Sequence, residues 1–206
     1  MNEKEWYRYA FNNFMATLAS WSTPKCICMD WHNQNGSREG AIRFLLDVDS
    51  GNLIISGDYG MAIAHWDTKL TPEKVYRFTN DTGYFADKIR CTTDRYIYSN
   101  DAAKEDLELI AKKSRANKET TEFLLQFLNT WFSENEVLDA ACYPLEVKDA
   151  LNRLNPNWNI FDQVIGRRMH GRIGIWAWAY QKAYERLADN PDFARLEEKL
   201  KEDAAV

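Results

Sequence analysis

The spacing of apolar positions changes along this chain, and each change marks a new element. Residues 3–20 repeat Tyr7, Phe11, Phe14 and Leu18 at helical intervals, with Asn12, Asn13 and Thr17 elsewhere on the wheel, which predicts one helix. Ser22-Thr23-Pro24 closes it, because the residue before a proline is pushed out of the α region. The period then falls from about 3.6 to 2. Residues 26–31 read as a first strand and 33–40 as a polar, glycine-bearing loop. Residues 42–48 read as a strand that sets Ile42, Phe44, Leu46 and Val48 on one face. Asp49-Ser50-Gly51-Asn52 supplies turn chemistry, and 53–56 return antiparallel. After Gly57-Asp58-Tyr59-Gly60, the apolar run 61–66 extends the pattern into a meander of three or four strands.

From residue 70 the helical period returns. Thr71 caps a short helix, with Pro72 at its first position, running to about residue 80 and ending near Gly83. Residues 84–98 fit either state, and 95–98 read as a candidate final strand. Ser99 starts a helix to about residue 115, and 118–132 form the second arm of an aromatic-rich hairpin carrying Phe123, Phe127 and Trp131 beside Leu124 and Leu128. Between 133 and 160 the chain is loop around a short helix at 145–154. A long helix follows at 167–188, then Asn190-Pro191 and a charged terminal helix at 192–202. The expected fold class is α+β: an N-terminal helix, a small antiparallel meander, then a mainly helical C-terminal half. The apolar helix faces must pack on something, so residues 1–206 are expected to form a single domain, with the meander at about 24–66 packed against helices at about 100–202.

Composition narrows the class. The hydrophobic share of 45% and the eight tryptophans exceed what a disordered chain carries, so a buried core is expected. The net charge of −5 disfavours wholesale binding to nucleic acid or anionic membrane. The N-terminus lacks a cationic region followed by an apolar core, and no stretch is apolar enough to span a bilayer. With four cysteines and no signal for export, the expectation is reduced thiols in a cytoplasmic setting.

Four groups of residues carry candidate chemistry. Cys26, Cys28, Asp30 and His32 alternate onto one strand face, so Cys26, Cys28 and His32 are candidate metal ligands that Cys91 or His65 would have to complete. Two buried thiols at a polar strand end is the favoured reading, and no cofactor is implied. Asp58, His65 and Asp67 at the meander ends, with Asp30 and His32, supply the minimum set for general acid–base work or a hydrolytic metal centre, although the favoured reading of Gly57 and Asp58 is an ordinary turn. Arg167, Arg168 and Arg172 cluster at the predicted start of the long helix, with Arg168 and Arg172 spaced to share a face toward an anion or a partner's carboxylates, although a solvated helix start paired to the chain's own acids is the favoured reading. Trp176 and Trp178 cannot share one helix face. An exposed tryptophan beside arginines, here Trp178, has the composition of a protein-binding hot spot.

Asp30-Trp31, Gly36-Ser37, Ile42-Arg43-Phe44, Ile55-Ser56-Gly57-Asp58-Tyr59-Gly60 with Trp66, then Gly83-Tyr84-Phe85 and Lys88-Ile89, carry a resemblance over the first half of the chain. The chain there resembles a group of uncharacterised proteins carried by bacteriophages and prophages. Some small proteins of such elements are anti-CRISPR inhibitors. The resemblance implies a mobile-element origin and carries over no functional residue. The leading expectation is a non-enzymatic, phage-type interaction protein, located in the host cytoplasm, that inhibits a nucleic-acid-targeting defence complex such as a CRISPR effector nuclease by protein–protein binding. The alternatives are a small metal-dependent hydrolase or nucleotide-processing enzyme using Asp58, His65 and Asp67, and a nucleic-acid-binding module using Arg167, Arg168 and Arg172. Oligomeric state stays open.

Overall fold

Alternation governs the first half of the chain more widely than its apolar spacing suggests. The computed structural model describes residues 1–92, 95–114, 116–135, 143–156 and 165–203. Helix α1 (Glu3–Ala10) opens with a capping box, in which Asn2 and Glu5 each accept from the other's backbone N–H. It stops well short of residue 20. Phe14–Leu18 forms strand β1 instead, with Phe14, Ala16 and Leu18 on one face and Met15 and Thr17 on the other. Phe14 and Leu18 fit both a helical and a two-residue repeat. Pairing along β2 decides between them: all five residues have partners on that strand, and the backbone groups turned toward it are hydrogen-bonded.

Strands β2 (Cys26–Asn33), β3 (Ile42–Asp47), β4 (Asn52–Gly57) and β5 (Ala62–His65) follow in sequence. After helices α2 (Pro72–Phe78) and α3 (Thr82–Lys88), β6 (Ile89–Thr92) completes a six-stranded sheet. Strand order is the order along the chain, and every pairing is antiparallel. The meander therefore has six strands rather than three or four. The two additions, β1 and β6, are its edges.

The chain divides into two compact units, one of Met1–Arg95 with His170–Val206 and one of Tyr96–Met169. In the first, helix α7 (Gly171–Leu187) lies across β1, β2 and β3. Ile27, Met29, Trp31, Ile42, Phe44, Leu46, Leu53 and Ile55 point to the covered side of the sheet, and Trp176 and Tyr180 meet them from α7. Rings of Phe44 and Tyr180 lie 5.1 Å apart, edge to face. The Tyr180 hydroxyl donates to the Pro72 carbonyl at 3.2 Å, so its one polar atom is satisfied inside the core. Each such side chain contributes about 1.5–3 kcal/mol through burial. Helix α8 (Pro191–Asp203) adds Phe193 and Leu200. The chain leaves this unit at Arg95 and returns at His170, whose N–H donates to the Arg95 carbonyl at 3.0 Å.

The second unit has its own core. Helices α4 (Asn100–Ala111), α5 (Lys118–Glu134) and α6 (Leu145–Leu154) bury Leu107, Ile110, Leu124, Leu128, Phe132, Val147, Leu151 and Leu154 together. Helix α5 turns Leu124, Leu128 and Phe132 inward, which leaves Phe123 and Phe127 facing out. Strands β7 (Tyr96–Tyr98) and β8 (Arg167–Met169) pair as a small antiparallel ribbon. The strand expected near 95–98 exists, but in this ribbon and not in the meander. The helix expected from residue 167 starts only at Gly171, because 167–169 pair with β7 and His170 supplies the cap. The protein is thus α+β: an N-terminal helix, an antiparallel meander, and a helical second half. None of its described helices is long and apolar enough to cross a membrane.

Candidate functional site

Because α7 occupies one face of the sheet, the residues of opposite parity form its other face, and strand register sets them in rows. Thr17 stands opposite Asp30, Asp30 opposite Arg43, and Arg43 opposite Ser56. The neighbouring row runs Cys28, Leu45, Ile54, Ile63 and Cys91 from β2 to β6. This outer face is therefore banded, polar then apolar. Ile54 and Ile63 keep 36% and 39% of their surface exposed, where their counterparts on the α7 side keep none.

The polar row opens into a cleft of about 440 Å³, lined by Thr17, Asp30, His32, Arg43, Ser56 and Asp58, with Gly36, Ser37 and Arg38 from the loop between β2 and β3. Asp30 grips Arg43 in a two-bond fork, Nε to Oδ1 at 2.6 Å and Nη2 to Oδ2 at 2.9 Å. That grip raises the guanidinium pKa further above its already high value. His32 holds its Nδ1 3.0 Å from the Asn33 carbonyl and its Nε2 3.2 Å from the Thr17 hydroxyl. The carbonyl needs a donor, so Nδ1 carries a proton. Asp58 ties down the loop, accepting from the Gly40 N–H at 2.6 Å while its own N–H donates to the Ala41 carbonyl at 3.1 Å. Gly57 makes that closure possible. It sits at φ +139°, and a Cβ there would lie 2.1 Å from the Ala41 oxygen.

The expected acid and imidazole group is split by this geometry. His65 pairs opposite Asn52 at the far end of β4 from Asp58, which places the two about 20 Å apart along the strand. His65 instead lies between Asn52 and Asp67, with Nδ1 2.9 Å from the Asn52 Oδ1 and Nε2 3.2 Å from the Asp67 Oδ1. Asp58 joins Asp30 and His32 in the cleft.

Cys26, Cys28 and His32 do share the outer face of β2, as alternation predicts, yet they do not draw together. Among the described residues no three His, Cys, Asp or Glu side chains converge as a metal would require. The Cys28 thiol is buried, and burial, reinforced by Asp30, pushes its pKa up to about 11, away from the thiolate a metal needs. Cys91 lies four strands away.

The basic cluster separates too. Arg168 is on β8, where Nη1 and Nη2 each meet a carboxylate oxygen of Asp106 at 2.9 Å and Nη2 reaches Glu105 at 3.2 Å. The Arg167 guanidinium lies 4.4 Å from the centre of the Tyr96 ring. Arg172 belongs to the other unit, in the first turn of α7, where its Nη1 lies against Gly60 and its N–H donates to His170 Nδ1. Arg168 and Arg172 therefore share no helix face. Trp178 is half-buried, stacked on Phe11 with ring centres 5.3 Å apart and edge-on to Trp31 at 6.1 Å. It is part of the packing beneath β1 and β2, because α1 and the β1 edge widen the apolar face that α7 must meet.

Alternation alone places Asp30 and Arg43 on outward faces. Their partnership depends on the β2–β3 register, which no local pattern contains. Arg38 and Ser56 carried no sequence signal beyond polarity. The class that fold and cleft define is an α+β protein whose antiparallel sheet carries α7 on one face and a banded, partly exposed row on the other. No protein-family model, curated protein or solved structure matches the chain.

Proposed function

We propose that this chain is a non-enzymatic interaction protein that docks a protein partner on the face of its sheet opposite α7. The observation that carries the reading is the banding of that face: a partly exposed row of Leu45, Ile54 and Ile63 beside the polar cleft at Asp30 and Arg43. Protein-binding surfaces combine an apolar centre with a polar rim that fixes orientation. The partner proposed is a host nucleic-acid-targeting defence complex, such as a CRISPR effector nuclease, with this protein as its inhibitor, a reading suggested by the resemblance of the first half to phage and prophage proteins, which by itself leaves the partner open. The acidic balance fits that partner, since exposed carboxylates complement a channel built to hold phosphate.

The test is co-purification with candidate effectors across a salt series, with nuclease activity read alongside. Ile54→Lys combined with Ile63→Lys should abolish the complex while leaving the fold intact, because both side chains already reach solvent. If no effector forms a stable complex and none loses activity, the reading is abandoned.

A further inference from the structure

The hydrogen-bonding capacity left unused in the cleft is mostly donor capacity. Both oxygens of Asp30 are taken by Arg43, and one oxygen of Asp58 is taken by the Gly40 N–H. What remains is the Arg43 Nη1, the Arg38 guanidinium, which has no ion-pair partner among the described residues, and the hydroxyl protons of Ser37 and Ser56. Arg43 is also the more open half of its pair, with 52% of its side chain exposed against 26% for Asp30. The carboxylate behind it holds the fork in place, so little side-chain freedom remains to be lost when a ligand arrives.

We propose that the cleft captures a carboxylate, presented as an acidic side chain of the docked protein partner. The proposal rests on the docking reading above and names the chemistry that one part of that surface selects. Charge bookkeeping separates this ligand from phosphate. Two arginines, Arg38 and Arg43, are matched by two carboxylates, Asp30 and Asp58, so the cleft lacks the excess of Arg and Lys over Asp and Glu that binds a phosphodiester chain. A single planar carboxylate needs no such surplus, only a fork and nearby hydroxyls.

Nuclear magnetic resonance on the full chain tests it, with hexaglutamate as probe, a thymidine hexanucleotide and inorganic phosphate as competitors, and the amides of Ser37, Arg38, Gly40 and Ser56 as reporters. Hexaglutamate should shift these amides saturably. Arg38→Gln, and separately Arg43→Lys, which keeps the charge but loses the fork, should each weaken it about tenfold. Tighter binding of the oligonucleotide or of phosphate at the same amides would overturn the proposal, as would no shift at all or an unchanged response in both variants. The docking reading fails separately. An effector complex that survives Arg38→Gln and Arg43→Lys but not the Ile54 and Ile63 variants leaves the surface standing and removes the carboxylate assignment. Hexaglutamate binding without any effector complex does the reverse.

Discussion

Glu197 sits half-buried on α8 and accepts a hydrogen bond from Tyr184. Burial is the largest influence on it and, with Glu73 adding, lifts its carboxyl above the usual range against the opposing pull of Lys201 and Tyr184. A carboxyl with a raised pKa in the folded state favours folding in its protonated form, so its ionisation weakens the fold as pH rises through that value. Glu197→Gln should therefore raise the melting temperature at neutral pH. The gain should vanish below about pH 4, where the unfolded chain's carboxyl is protonated too. Melting curves across pH for the two proteins check this. At this scale the sequence was informative about faces and silent about partners. Cys28, Asp30 and His32 fall on one side of β2, as alternation requires, but the burial that silences the Cys28 thiol and the fork on Arg43 come from residues far along the chain.

The β3–β4 hairpin shows how one residue sets an element's position. Gly57 ends β4 with a backbone conformation that other residues adopt at a cost, and its α-carbon faces the Ala41 carbonyl. Gly57→Ala should destabilise the protein by about 2 kcal/mol or more, through backbone strain and the clash together, and should loosen the loop that closes the cleft. Urea denaturation gives the first effect, and hydrogen exchange at Gly40 and Asp58 the second. Elements with end signals were legible before folding: Thr71 and Ser99 cap α2 and α4 as expected, and α6 spans the residues predicted for it. The short strands β1, β6 and β8 were not. A strand of three to five residues carries too little period to outvote a competing helix, and its stability comes from a partner placed elsewhere in the chain.

Two compact units with two cores make stability a local property of this molecule. Leu128 is fully buried within the second core, and Leu128→Ala should cost that unit about 2–5 kcal/mol. Amide exchange should then quicken across α4, α5 and α6 while β2, β3 and β4 keep their protection. Uniform loss in both regions would show that the units unfold as one. The aromatic richness of the sequence announced a core without saying how many, since apolar faces do not declare which neighbour they will meet.

The hydrogen bond between His170 and Arg95 has a consequence for the history of such a chain. Where a polypeptide leaves a fold and comes back to it at adjoining positions, everything in between is, for that fold, an elaborated turn. Residues 96–169 could be exchanged, shortened or rebuilt while the six strands and α7 keep their arrangement. Lineages sharing the sheet are then free to differ in the intervening helices, so divergence there and constancy at the meander is the pattern that inheritance would leave.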